Sequence, residues 1–244
     1  MLTDPPTLLI AAIVVVLAMV QSVFGVGLLL FGTPVLLLLG MPFTQVLAYL
    51  LPCSIAVSLL QVFTTGGVTL EPFRRQFLAY AVPAVLIGTT VALLAGAPQI
   101  KLLVGVMLLL TACIRFGPLR NALGRRVRGH LRPMMVGLGL MHGLSNLGGG
   151  VLTVIVGSCA IEKAEIRRHI AFAYGAMAIV QLAVVLSTQR AHLNIALWLS
   201  LPALAAGVYL LVGQRVFRAV SQRAYQFGLT GMIACFGALL VATA

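Results

Sequence analysis

The sequence predicts an all-α polytopic membrane protein made of two inverted repeats, each a glycine-broken helical hairpin plus three transmembrane helices. Three observations carry this. The 244 residues are 61% hydrophobic and 8% charged, with a mean hydropathy of +1.12, whereas a soluble domain is about a quarter charged and about half apolar. Apolar stretches of membrane-spanning length recur along the whole chain. Landmarks of the first half return in the second at a nearly constant spacing.

The charge balance has to be read inside that composition. Sixteen Lys and Arg against four Asp and Glu give a net charge of +12, which in a soluble domain would suggest nucleic acid. Here it does not, and the composition also excludes a disordered tail and a disulfide scaffold. Cys53, Cys113, Cys159 and Cys235 stand singly in apolar runs, as packing residues do. Asp4 is the only charge before the first apolar stretch, so the basic n-region of a signal peptide is missing and that stretch is read as a retained span.

Charges and Gly/Pro breaks divide the chain into apolar stretches at 7–24, 26–40, 43–65, 76–96, 98–114, 133–147, 149–161, 169–189, 193–213 and 224–244. A spanning helix needs about 20 residues. The stretches 43–65, 76–96, 169–189, 193–213 and 224–244 meet this, and 98–114 is near the short end, with Lys101 placed to snorkel. Pro52 and Pro83 are expected to kink their helices. The pairs 7–24/26–40 and 133–147/149–161 differ: their pieces are mostly too short and are joined by glycine, through Gly25-Val26-Gly27 and Gly148-Gly149-Gly150.

These junctions belong to the repeat. Gln21 to Gly27 aligns with His142 to Gly148 at an offset of 121, Gln61 with Gln181 at 120, and Pro83 to Gly88 with Pro202 to Gly207 at 119. The chain therefore divides into a first transmembrane repeat (1–117), a basic connector (118–132) and a second repeat (133–244). If each glycine-joined pair folds back as a hairpin, Arg74, Arg75, Arg115, Arg120, Arg125, Arg126, Arg128, Arg132, Lys163, Arg167, Arg168, Arg215, Arg218 and Arg223 all fall on one side, against Lys101 and Arg190 on the other. Single crossings split the charges far more evenly, so the positive-inside rule favours hairpins. Each repeat then crosses an odd number of times, the repeats are inverted, and both termini lie outside.

A glycine break in hydrocarbon is tolerated only where protein or a cavity surrounds it. The second helix of each hairpin is expected to start just after its glycines, where free N–H groups and the positive dipole end suit an anion. Gly25, Gly27, Gly148, Gly149 and Gly150 would let a ligand approach the backbone; the same glycines also suit close helix packing. Gln21 and Ser22 adjoin the first break, and His142, Ser145 and Asn146 the second. His142 is ionisable within an apolar hairpin, which makes it a candidate for substrate contact or proton coupling, or alternatively a neutral interhelical hydrogen-bonding group. Gln61 and Gln181 are mid-span and repeat-related, with Ser54, Ser58 and Tyr174 nearby, and Ser54, Ser58 and Gln61 share one helical face that lines a cavity or bonds between helices. His169 is read as interfacial, and His130 and His192 as solvated. The chain contains no metal-ligand spacing, phosphate loop or Ser/His/Asp set, so no cofactor is expected. His142 with Ser145 is the one nucleophile–base candidate and has no third group to orient it, so the protein is not expected to be an enzyme.

At these residues the sequence resembles the sulfite exporter TauE/SafE family, also called TSUP transporters, over nearly its whole length. The second break, Gly143-Leu-Ser-Asn-Leu-Gly-Gly-Gly150, is similar to the glycine-rich motif members carry once per half, and Ala164 to Gly175 is similar to the helix entry that follows it. The first break departs, keeping Gly25 and Gly27 alone. The resemblance implies a secondary exporter of sulfite, sulfonates, sulfoacetate or related anions; the residues themselves give the sign of the charge. Gln21, Ser22, Gly25, Gly27, Ser54, Gln61, His142, Ser145, Asn146, Gly148, Gly149, Tyr174 and Gln181 are the expected substrate-binding set. An anion channel on the same scaffold, uptake rather than export, and an assembly factor that binds no small anion are the alternatives. The expected partners are the anion, the bilayer with anionic lipid at the basic loops, and a second copy in a homodimer, with no nucleic acid. The expected location is the bacterial inner (plasma) membrane. This topology predicts that a single cysteine added after Ala244 reacts with an impermeant thiol reagent in intact cells; reaction only after the cells are opened overturns the hairpin reading.

Overall fold

A computed structural model describes residues 7–64, 66, 71–94, 102–107, 109–110, 130–157, 162–188, 194–221, 224, 227 and 231. Among these, every regular element is helical. The first hairpin is α1 (Thr7–Phe24) and α2 (Leu28–Leu38), followed by α3 (Phe43–Thr64). The short α4 (Glu71–Gln76) passes through a π-helical segment (Phe77–Ala81) into α5 (Val82–Leu94). The second hairpin is α6 (Leu131–Ser145) and α7 (Gly148–Gly157). Then come α8 (Lys163–Ser187) and α9 (Ile195–Val208), which continues through a second π-helical segment (Tyr209–Gly213) into α10 (Gln214–Ala219).

The apolar pattern locates these elements closely, and α1 coincides with its predicted stretch. Two differences have physical causes. The predicted stretch 169–189 starts late, because Lys163, Glu165, Arg167 and Arg168 interrupt the apolar run although they are helical and Ile166 and Arg167 are buried. At Pro83 the helix accommodates a missing N–H and a crowding ring by a wide π turn just before it. Residues 102–107 are helical. Most of the stretch 98–114, most of 224–244 and the connector up to residue 129 lie outside the described residues, as do Cys113, Cys159, Cys235 and His192. Cys53 is buried and its thiol donates to the Tyr49 carbonyl at 3.1 Å, the packing role expected of it.

Among the described residues, five helices are long and apolar enough to cross a membrane: Thr7–Phe24, Phe43–Thr64, Phe73–Leu94, Ala164–Ser187 and Ile195–Ala219. Their outer faces carry Leu8, Phe63, Leu94, Leu199 and Leu211, all largely exposed. In water such a surface would be an aggregation liability; against lipid it is the ordinary outer face. Leu28–Leu38 and Gly148–Gly157 are apolar but too short to span. Polar residues are instead inside, with Gln21, Ser54, Gln61, His142, Asn146 and Gln181 all fully buried.

The packing partners follow a regular order. α3 lies along α8; α2 packs on α3 and α7 on α8; α1 lies against α9 and α6 against α5; α2 touches α7. Trp198 Nε1 donates to the Ala48 carbonyl at 2.9 Å and the Asn194 N–H to the Tyr49 hydroxyl at 3.1 Å, tying α9 to α3.

The α5–α6 crossing depends on small residues. A Cβ at Gly139 would overlap the Ala81 carbonyl oxygen, and one at Gly143 would lie 2.5 Å from the Val85 carbonyl oxygen. Gly137, two residues away on the same helix, faces open space. Gly139→Ala is therefore expected to destabilise by about 1–3 kcal/mol through overpacking. Gly137→Ala should stabilise by about 1 kcal/mol through helix propensity. Melting of the two variants in detergent checks the contrast, and equal melting points would contradict the close crossing.

Candidate functional site

The two breaks are closed by matching hydrogen bonds. α1 ends because Gly25 takes a left-handed conformation (φ +77°) and returns its N–H to the Gln21 carbonyl at 2.8 Å. α6 ends because Asn146 does the same (φ 64°), its N–H reaching the His142 carbonyl at 2.7 Å. Left-handed termination is the common way for a helix to stop, with Gly or Asn at that position. A glutamine from the neighbouring long helix then reaches the same carbonyl. Gln61 Nε2 donates to the Gln21 carbonyl at 2.9 Å and to that of Ser22 at 3.3 Å, and Gln181 Nε2 donates to the His142 carbonyl at 3.3 Å.

Past the first break, the Leu28 N–H at the start of α2 donates to Gln21 Oε1 at 3.2 Å. Gln21 Nε2 in turn donates to Ser54 and Ser58 of α3, each at 3.2 Å. Gln21, Ser54 and Ser58 thus hold the hairpin to α3. Ser22 Oγ donates to the Ala18 carbonyl and Ser145 Oγ to that of Met141, both at 2.6 Å. Their hydroxyls are turned back onto their own helices.

Around the start of α7 the arrangement is different. Both His142 ring nitrogens, Asn146 Oδ1, Gln181 Oε1 and the Tyr174 hydroxyl are buried, and none has a hydrogen-bond partner among the described residues. Gln181 lies beside the imidazole. The Tyr174 ring meets the His142 ring edge-on, with centroids 5.4 Å apart. A Cβ at Gly149 would lie 3.0 Å from the Tyr174 oxygen, and one at Gly148 3.0 Å from His142 Nδ1. The Leu30 backbone, in the first turn of α2, also adjoins the Tyr174 hydroxyl. The first turns of both short helices therefore meet at Tyr174. Buried polar groups are normally paired, so five unpaired atoms at two converging helix N-termini form an unusual cluster, in which the His142 ring and the Tyr174 hydroxyl can donate to an anion while the Asn146 and Gln181 amide oxygens can only accept.

The expected set is thus brought together, but in two groups. His142, Asn146, Gly148, Gly149, Tyr174 and Gln181 surround the unpaired cluster. Gln21, Ser22, Ser54, Ser145 and Gln61 direct polar groups to other parts of the protein. Gly25 supplies the turn, and Gly27 packs on Gln21 and Leu17 of its own hairpin. His169 is buried rather than interfacial: its Nδ1 lies 2.8 Å from the Glu165 carbonyl and its ring meets Phe73 edge-on. It turns inward because the helix begins well before the stretch that the apolar pattern marks. His130 is exposed.

Two residues escape the sequence reading. Thr33 Oγ1 accepts from Asn146 Nδ2 at 2.7 Å and so joins α2 to the second break; it is a polar residue in an otherwise apolar helix, which was the available signal. Arg167, counted above among the loop charges, is 2% exposed and donates from Nη1 to the Ser22 carbonyl at 3.0 Å. Its guanidinium carbon lies 3.6 Å from the centre of the Phe217 ring.

No curated protein and no solved structure matches the chain. A family model does, that of the sulfite exporter TauE/SafE, over residues 9–240. With nearly the whole chain matched, and with apolar helices and glycine-broken hairpins in place, the protein belongs to the sulfite exporter TauE/SafE family of membrane transporters.

Proposed function

We propose that the protein is a secondary transporter that exports small sulfur-containing or organic anions, such as sulfite, sulfonates or sulfoacetate, by alternating access. The observation that carries this reading is the buried, unpaired polar cluster at Tyr174, where the first turns of α2 and α7 converge. Helix N-termini attract negative charge, and a low-dielectric surrounding strengthens each hydrogen bond made there. His142, Tyr174 and the backbone N–H groups near Gly149 would hold the anion. Asn146, placed by Thr33, would orient α7 toward it. His142, with both ring nitrogens unpaired, is also the candidate to carry a coupled proton.

Alternating access is supported by the order of packing and by the paired hydrogen bonds. Gly25 with Asn146, and Gln61 with Gln181, occupy the same roles about 120 residues apart, as inverted-repeat transporters require. In this reading the repeats are inverted, the basic loops face the cytoplasm beside anionic lipid, and the protein sits in the plasma membrane as a homodimer.

The test is flux of sulfite, sulfonates and sulfoacetate from proteoliposomes, with thermal shift by the same anions. His142→Leu is expected to lower flux by about tenfold or more, since one hydrogen bond to a charged group is worth roughly 1.5–3 kcal/mol. Ser145→Ala, whose hydroxyl is turned away from the site, should leave it nearly unchanged. If wild type neither moves nor is stabilised by any of these anions, the reading fails.

A second expectation concerns Asn146. Asn146→Gly keeps the left-handed turn and loses only the Thr33 bond, worth about 0.6 kcal/mol in membrane proteins. Asn146→Ala adds the cost of a positive φ, about 1–2 kcal/mol. Melting should therefore rank wild type above Asn146→Gly above Asn146→Ala, and an Ala variant as stable as the Gly variant would contradict the turn's role.

A further inference from the structure

The two breaks are built on matching positions and carry different side chains. Gln21 and His142 are equivalent in their backbones: the carbonyl of each accepts from a left-handed residue further along the chain, Gly25 or Asn146, and from a mid-span glutamine. The same repeat spacing pairs Leu28 with Gly149, Ser54 with Tyr174 and Ser58 with Ala178.

In the first break these side chains close on one another. Gln21 Oε1 accepts from the Leu28 N–H at 3.2 Å and from the Ser54 hydroxyl at 3.3 Å. Gln21 Nε2 donates to the Ser54 carbonyl and to the Ser58 hydroxyl, each at 3.2 Å. An amide oxygen therefore sits at the start of α2, the kind of place that suits an oxygen of an anion. The second break has the same plan without the amide. His142 stands for Gln21, and its buried ring nitrogens bond no described residue. Tyr174 stands for Ser54, and its buried hydroxyl is likewise unpaired among the described residues. Gly149 stands for Leu28 and admits Tyr174, since a Cβ there would lie 2.8 Å from the ring and 3.0 Å from its oxygen. Ala178 stands for Ser58 and offers no hydroxyl.

We propose that Gln21 is a built-in ligand of the first break, whose amide oxygen takes the place that an oxygen of the transported anion takes in the second, so that each chain binds one anion. This rests on the anion-transport reading above and adds the contacts and the count. One anion oxygen is held by the Gly149 N–H and the Tyr174 hydroxyl, the equivalents of the two donors to Gln21 Oε1, with the His142 ring beside it. A tethered amide has little translational freedom to lose on binding, whereas a dissolved anion loses all of it. The first break therefore stays with its own side chain, and the exchange of Gln for His at the second leaves the ligand's place to an anion.

The test counts sulfite bound per chain by calorimetric titration of the full chain in detergent, with sulfoacetate as the second probe. Wild type should bind one. Gln21→Ala removes the built-in ligand and should bind two. His142→Gln with Ala178→Ser copies the first break onto the second and should weaken binding by about tenfold or more, the worth of one hydrogen bond to a charged group. It should also melt above a His142→Met, Ala178→Ser control, which has a side chain of the same length and no amide. Either the Gln21 variant or the paired variants decide alone if the other does not fold. If wild type binds two anions, if Gln21→Ala binds one, or if the His142→Gln pair keeps wild-type affinity or melts no higher than its control, Gln21 only ties the hairpin to α3 and the proposal is overturned. Failure of the transport reading itself shows separately, as wild type that binds neither probe.

Discussion

The constraint that shapes this protein is that backbone polar groups have no water to bond with inside a membrane. A helix interrupted at mid-depth exposes carbonyls on one side of the break and N–H groups on the other. The carbonyl side is closed in both hairpins by a left-handed residue and a glutamine from a long neighbouring helix. The N–H side is closed in one way at the first break, by Gln21 Oε1 on the Leu28 N–H, and is left facing unpaired side chains at the second. The arrangement therefore spends its glutamine amide N–H groups on carbonyls, and leaves the His142 ring and the Tyr174 hydroxyl unpaired beside two amide oxygens.

Most of the fold was legible because hydrophobicity and glycine carry it. The break at Gly25 and the one at Asn146 were visible from residue type and spacing, and Gln61 and Gln181 were visible as mid-span amides. Which of them face a ligand was not, because a hydrogen bond to a carbonyl and one to a substrate use the same atoms. Gln21 illustrates this: its position beside a break suggests contact with substrate, and its amide in fact holds α2 and α3 together. Arg167 was misplaced for a related reason. Counting charges treats every arginine near a helix end as solvated, and a buried one is distinguished only by the face it shares with Tyr174 and Gln181.

Stability and selectivity draw on different residues in this scaffold. Gly88, Gly139 and Gly143 bring α5 and α6 together without polar atoms, so the backbone crossing is set by shape. His142, Tyr174 and Asn146 sit beside that crossing and contribute unpaired polar atoms that weaken rather than strengthen the bundle. In the transport reading proposed above, a bound anion supplies the missing partners.

The exchange of partners between α1 and α9, and between α6 and α5, bears on how the chain is made. The carbonyls of the first break are reached by Gln61, which belongs to the same half, and those of the second by Gln181, again from its own half. Each half can therefore enter the bilayer with its costliest backbone groups already bonded. The faces of α1 and α5 that pack on α9 and α6 nonetheless lack those partners until the second half of the chain has been synthesised. Membrane insertion can thus proceed half by half, while the bundle closes only after the second half has been delivered.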